Sequence, residues 1–278
     1  MALSNIYKFK PFMSLARCYS SAHLVNVQVN NKTGISVLTL ESSPVNSLNL
    51  ELLSELKQSL SDLEKNHSRG VIITSALKTF SAGLDINEMY KPDLDRCKRF
   101  WTTLQDVWIS LYGSSFPTVA VINGAAPAGG CLLSMSCEYR VMVPNSVIGL
   151  NETQLGIVAP QWFTDTMCNV IGPRKTELAL TEGKLFTTNE ALNVGLIDEI
   201  VQTKEEGLEK ANEFLKKFVR ISPVARSMSK KIIRGDTLQR MVQARDADLK
   251  LFIRTVTQES VQKSLGMYIE ALKKKQTA

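Results

Sequence analysis

Hydrophobic and polar positions alternate from the twenty-fourth residue. Leu24-Val25-Asn26-Val27-Gln28-Val29 and Ile35-Ser36-Val37-Leu38-Thr39-Leu40 both run with a period of two, and the polar turn Asn30-Asn31-Lys32-Thr33-Gly34 joins them, so the two segments predict a β-hairpin. The period then lengthens. Leucines at 50, 53, 56, 60 and 63 recur at helical spacing behind Ser47 or Asn49 as cap. Val71-Ile72-Ile73-Thr74 is a short apolar run that predicts a buried strand, and 93–112 returns to helical spacing. Thr118-Val119-Ala120-Val121-Ile122 predicts another buried strand, 131–136 an apolar helix and Tyr139-Arg140-Val141-Met142-Val143 a further strand.

Beyond about residue 160 the pattern is almost wholly helical. The segments 161–171, 173–182, 188–194, 204–219, 222–234, 237–255 and 258–275 are predicted helices, punctuated by Pro173, Gly183, Gly195 and Pro223. The plan is an α/β chain of repeated β-β-α units followed by a helical end. No linker is long enough to separate two independent domains. The expected organisation is a leader over 1–19, a core over 20–203 and a C-terminal helical region over 204–278.

The 278 residues suffice for a large buried core without disulfides or metals. A hydrophobic fraction of 44% with 22% charged residues excludes a disordered, collagenous or coiled-coil chain, and no apolar run is long enough to span a membrane. Net charge is +6, but Lys8, Lys10 and Arg17 carry half of it, leaving +3 for the rest. That gives no ground to expect nucleic acid as a partner.

Residues 1–22 are basic, acid-free and rich in serine, with Lys8, Lys10 and Pro11 breaking any continuous apolar stretch. This is the composition of a mitochondrial transit peptide rather than of a secretory signal. Arg17-Cys18-Tyr19-Ser20 fits a processing site, so the mature chain is expected to begin near Ser20 in the mitochondrial matrix. Five cysteines without repeating spacing predict no disulfide framework. The two histidines, His23 and His67, lie in no metal-binding frame, so neither a metal site nor any other cofactor is expected.

Two stretches of small residues each follow a strand and lead into a helix: Phe80-Ser81-Ala82-Gly83-Leu84-Asp85 and Gly124 to Cys131. Such stretches let a ligand approach the main chain, where the start of a helix has free N–H donors. Two donors converging from separate loops make an oxyanion hole. Taken alone, the same glycines serve tight helix–sheet packing equally well. Gly124 and Gly129 have the spacing of a Walker loop, but Gly130 stands where its lysine belongs. One carboxylate is notable. Glu152 has Ile148, Leu150, Leu155, Ile157 and Trp162 for company, and apolar surroundings raise a carboxylate's pKa into the range useful for proton transfer. On its own it could as well face solvent or cap a helix.

Together, Phe80-Ser81-Ala82-Gly83-Leu84-Asp85-Ile86, the Asn123-Gly124…Gly129-Gly130-Cys131 stretch and a glutamate some twenty residues on resemble the crotonase (enoyl-CoA hydratase/isomerase) superfamily over residue 24 to the end. Ile148 to Pro160, with Asn151-Glu152-Thr153-Gln154-Leu155-Gly156 at its centre, and the terminal Gln262-x-Ser264-Leu265-x-Met267-Tyr268 are similar to the mitochondrial isomerase branch. The resemblance implies a crotonase spiral of β-β-α units with C-terminal helices that form homotrimers, acting on acyl-CoA. It implies backbone N–H donors at Leu84 and Gly129 holding the thioester oxygen, and Glu152 as the base. It further implies CoA contacts around Ser81 and Ala82, with Lys78 as the nearest cation, and an acyl pocket near Leu132 and Trp162. Hydratases of the family carry a second glutamate at the position of Leu132; its absence points to a one-base shift of the double bond of a 3-enoyl-CoA to trans-2-enoyl-CoA, in β-oxidation of unsaturated fatty acids. The alternatives are a hydratase, a dienoyl-CoA isomerase, or a non-catalytic homologue bound to RNA or a complex.

Overall fold

A computed structural model describes residues 23–277; the leader expected over 1–19 lies outside the described residues. The elements repeat along the chain. β1 (Val25–Val29) and β2 (Ile35–Leu40) form the hairpin, in register from Val25 opposite Leu40 to Val29 opposite Ser36. Then come β3 (Ser47–Leu48) and α1 (Leu50–Lys65); β4 (Gly70–Ser75), β5 (Gly83–Leu84) and α2 (Leu94–Tyr112); β6 (Thr118–Ile122), β7 (Ala126–Pro127) and α3 (Gly129–Ser136). The fourth unit is β8 (Tyr139–Met142) and β9 (Val147–Gly149), followed by α4 (Gln161–Ile171) and α5 (Pro173–Glu182). The chain ends with β10 (Phe186–Thr187), α6 (Thr188–Val194), β11 (Glu199–Ile200), α7 (Lys204–Lys216), α8 (Pro223–Val256) and α9 (Glu259–Thr277).

Each unit places its first strand in one six-stranded sheet, ordered β1-β2-β4-β6-β8-β11, in which all pairs after the hairpin are parallel. Its second strand joins one of two small sheets, β3-β5 or β10-β9-β7. Because each unit adds its strand beside that of the unit before, the chain advances as a spiral. This is the architecture that the crotonase resemblance implies.

Burial explains the strand sequences. Every residue of β4 and β6 is buried, which is why they read as unbroken apolar runs. One face of the main sheet packs with α1, α2 and α3 into the principal core; the other carries Ile35, Ile72, Val119, Val121 and Val141 against Ala211 and Leu215 of α7. α1 begins where Asn49 accepts from the Leu52 amide, so Asn49 and not Ser47 is the cap. Its core stripe is Leu52, Leu53, Leu56, Leu60 and Leu63.

Two expectations change. The segments 222–234 and 237–255 are one helix, α8, of 34 residues. Gly235 lies in its interior, and a single internal glycine costs a helix only about 1 kcal/mol, far less than a proline. The loops at 80–85 and 124–130 contain the short strands β5 and β7, because a two-residue strand has no periodicity to read. Among the described residues no helix is long and apolar enough to cross a membrane, and no cluster of histidine, cysteine and acidic side chains could hold a metal ion.

Candidate active site

The two glycine-bearing loops meet. Phe80 and Ser81 both donate their amides to the Ala125 carbonyl of the second loop, and Ala128 N–H donates to Gly149 O at 2.7 Å, tying that loop to the end of β9. Gly124 is pressed so close to the backbone of Lys78 that a Cβ there would stand 1.9 Å from the Lys78 carbonyl oxygen; no other residue fits. Gly83 has a φ of +87°, and a Cβ on it would sit 3.2 Å from the Gly129 nitrogen. A Cβ on Gly129 would in turn sit 3.3 Å from the Leu84 nitrogen. The amides of Leu84 and Gly129 therefore border one small space that only glycine leaves open.

α3 starts at Gly129, and Ala128 before it supplies no side-chain cap. Its first amides thus remain donors at the positive end of the helix. Ala128 holds a φ of +48°, a region that costs a non-glycine residue of order 1–3 kcal/mol and that clusters at functional sites.

The first loop is rigidly supported. Buried Asn46 donates from Nδ2 to Ser75 Oγ and to the Phe80 carbonyl. Ser81 Oγ donates to Asn46 O and accepts from Gly83 N–H, while Ala82 N–H donates to Val45 O. The hydroxyl of Ser81 and the amides of Ser81 and Ala82 are thus committed to the protein, which leaves Ser81 buried and Ala82 exposed. Lys78 has an exposed side chain beside this loop. A second cation lies there that its sequence position does not announce: Lys204 at the start of α7 donates from Nζ to Ser75 O at 2.7 Å.

Glu152 opens a 3-10 turn over Glu152–Leu155 and is 8% exposed. Neither carboxylate oxygen has a hydrogen-bond partner among the described residues. Burial pushes its pKa up to about 7, against a smaller downward pull from its own amide. Its charge is felt on α3: burial first, and then the Glu152 carboxylate, raise the Cys131 thiol well above its ordinary range. The unpaired carboxylate is therefore within electrostatic reach of the helix that begins at Gly129. Leu132, one residue on from Cys131, is fully buried and apolar, so this side of α3 provides no second acid there.

Trp162 is deeply buried and packs edge-on against Trp101, Trp108 and Phe163, with its indole N–H directed at Asp248 at 3.3 Å. Its neighbours make it part of the aromatic core joining α2, α4 and α8. His67 occupies a left-handed turn position at φ +52° and meets no metal-binding group among the described residues.

Chemically, two amides bordering one space can stabilise an anionic oxygen, and a desolvated carboxylate poised near neutrality can both take and return a proton. A β-β-α spiral with these features defines an α/β scaffold equipped for enolate-type chemistry. The chain belongs to the enoyl-CoA hydratase/isomerase family, whose pattern matches residues 30–277. It is 44% identical over 255 residues to mouse enoyl-CoA delta isomerase 1, mitochondrial, covering 90% of this chain and 88% of that protein. The human protein of the same name is 43% identical over 262 residues, covering 93% and 86%. Among solved structures, human mitochondrial delta3-delta2-enoyl-CoA isomerase superposes with a TM-score of 0.88 at 43% identity, over 91% of this chain and 99% of that one. Enoyl-CoA hydratase from Bacillus halodurans gives a TM-score of 0.80 at 25% identity, over 88% and 100%.

Proposed function

We propose that this protein is a delta3-delta2-enoyl-CoA isomerase of β-oxidation. Glu152 removes a proton from carbon 2 of a 3-enoyl thioester. The C–H electron pair delocalises through the carbonyl into a dienolate, whose oxygen receives hydrogen bonds from the Leu84 and Gly129 amides. The protonated Glu152 then delivers the proton to carbon 4, the double bond comes to rest between carbons 2 and 3, and the carboxylate is regenerated. No atom is gained or lost.

The observation that supports this best is the buried Glu152 carboxylate with neither oxygen paired among the described residues, with the apolar Leu132 fully buried on α3. Hydration needs a water held between two acids; one base in a dry site suits proton transfer. The test is conjugation of a 3-enoyl-CoA, followed by the absorbance of the 2-enoyl thioester, in wild type and in Glu152→Gln. Turnover in wild type and its loss in the variant are expected. Equal turnover in both would remove Glu152 from the role.

The CoA moiety is assigned to the exposed side of Ala82, with Lys78 and Lys204 as the nearby cations; Ser81 is fully buried and supports this loop from beneath rather than meeting the ligand. The relatives are mitochondrial by name, and we place this chain in mitochondria and, within them, in the matrix, with residues 1–19 as its transit peptide. Homotrimer formation is part of the same proposal. Val224, Met228 and Ile232, the last 80% exposed, recur every four residues as an apolar stripe on the first half of α8 that a second copy would cover. Sedimentation at micromolar concentration checks it, and a stable monomer would count against it.

A further inference from the structure

A base that nothing grips must be aimed by what surrounds it. Neither oxygen of Glu152 accepts a hydrogen bond among the described residues, so the direction of the carboxylate is set by the backbone of its own turn. That turn is closed internally by Gln154 N–H to Asn151 O, Gly156 N–H to Thr153 O and Ile157 N–H to Glu152 O. Three such bonds shape the turn but do not fix it against the rest of the protein.

Two side chains do. Thr153 Oγ1 donates to Leu180 O at 2.6 Å, and Gln154 Nε2 donates to Gly183 O at 2.8 Å. Both acceptors lie at the C-terminal end of α5, where the last carbonyls lack the regular intrahelical bond; Leu180 O also accepts from Gly183 N–H at 3.3 Å. The turn adds two side-chain donors there. The fit is close on the other side as well. Gly183 has a φ of +62°, and a Cβ on it would strike Gln154 Cγ at 2.7 Å. The missing side chain of Gly183 is the seat for Gln154.

This geometry also gives a reason for the order of residues in Asn151-Glu152-Thr153-Gln154-Leu155-Gly156. Successive residues of a tight turn point in different directions. Glu152 can therefore face the buried interior while the two residues behind it reach outward to α5.

We infer that Thr153 and Gln154 are positioning residues for Glu152, docking its turn onto the end of α5 so that the ungripped carboxylate stays aimed at the substrate carbons. The inference rests on the reading of Glu152 as the base.

The experiment compares Thr153→Val, Gln154→Met and the double variant with Thr153→Ser, which keeps the hydroxyl, and with Glu152→Gln. Each is assayed on a 3-enoyl-CoA for kcat, KM and the pH dependence of kcat, alongside thermal unfolding. Misplacing a catalytic group by about 1 Å costs about 10²-fold. A fall in kcat of that order is expected in the double variant, with KM within about twofold and with smaller falls in the single variants. Loosening the turn admits water to the carboxylate, so the acid limb of the kcat profile should move down toward the ordinary carboxylate range. Thr153→Ser should recover most of what Thr153→Val loses.

Unchanged kcat and acid limb in the double variant, with Glu152→Gln inactive, would overturn the positioning role and leave the base in place. A fall in kcat that merely tracks lost thermal stability, with the acid limb unmoved, would also overturn it. Should the double variant fail to fold, the same two readouts in the single variants decide between these outcomes. Full activity in Glu152→Gln would instead remove the base itself.

Discussion

Leu84 and Gly129 come from different units of the spiral, yet a methyl group added to Gly129 would lie 3.3 Å from the Leu84 amide nitrogen and 3.1 Å from Leu84 Cδ2. The glycine thus keeps open the space that both amides border. Gly129→Ala would fill it and would also press on Leu48 Cδ1 at 2.9 Å. Loss of an oxyanion donor costs about 10²–10³ in kcat. A fall in that range is expected, measured beside thermal unfolding to separate blocked donors from a damaged fold.

Burial of Glu152 makes stability depend on pH in the direction opposite to most carboxylates. The group is protonated below about 4.5 when unfolded and below about 7 when folded. Its contribution is therefore fully present below pH 4.5 and is lost as pH rises through 7, by about 3 kcal/mol in all. Glu152→Gln removes the buried charge. Denaturation at pH 8 should show the variant more stable than wild type by up to that amount, and at pH 4.5 the two should be nearly equal.

With Leu132 where a second acid would stand, wild-type protein should hydrate trans-2-enoyl-CoA poorly compared with its isomerisation of 3-enoyl-CoA. Measuring both rates on one preparation checks this. Hydration as fast as isomerisation would show that Leu132 does not decide the reaction.

Asp248 of α8 accepts from Trp101 Nε1 at 2.7 Å, Gln105 Nε2 at 2.8 Å and Trp162 Nε1 at 3.3 Å. The long helix is thereby fastened to α2 and α4. Asp248→Ala takes this acceptor from three N–H donors and should cost at least about 1–3 kcal/mol, read as a lower denaturation midpoint.

A second fastening is ionic. Glu138 pairs with Lys230 at 2.7 Å and with Arg226, and all three side chains are largely buried. Burial pulls the Lys230 ammonium down to about 8 despite the carboxylate. Removing one partner of such a group strands the others, so Glu138→Ala should destabilise by about 3–5 kcal/mol. Chemical unfolding of the variant checks it.

Much of this is legible in the amino-acid order. The hairpin, β4, β6 and α1 declare themselves because a buried strand must be apolar and a helix must repeat every three to four residues. The two glycine stretches and Glu152 are different: their residue types also suit tight packing or a solvent-facing cap, and only their combination, in the order and spacing of the family, marks them out. Other features depend on proximity between distant residues. Nothing near Lys204 announces its bond to Ser75, 129 positions away. Nothing in Thr153 and Gln154 by themselves points to the end of α5. Nor does the sequence show that Trp162 packs against Trp101 and Trp108 of α2. The continuity of α8 across Gly235 is a matter of energy that a punctuation rule overstates.

In the proposed reaction one carboxylate, Glu152, carries a proton from carbon 2 to carbon 4. The decisive experiment runs the wild-type protein on a 3-enoyl-CoA in heavy water, beside Glu152→Gln. Rapid conjugation by wild type is expected, with the proton retained at carbon 4 to the extent that buried Glu152 is shielded from solvent, and no conjugation by the variant. Conjugation by Glu152→Gln at the wild-type rate would contradict the proposed reaction.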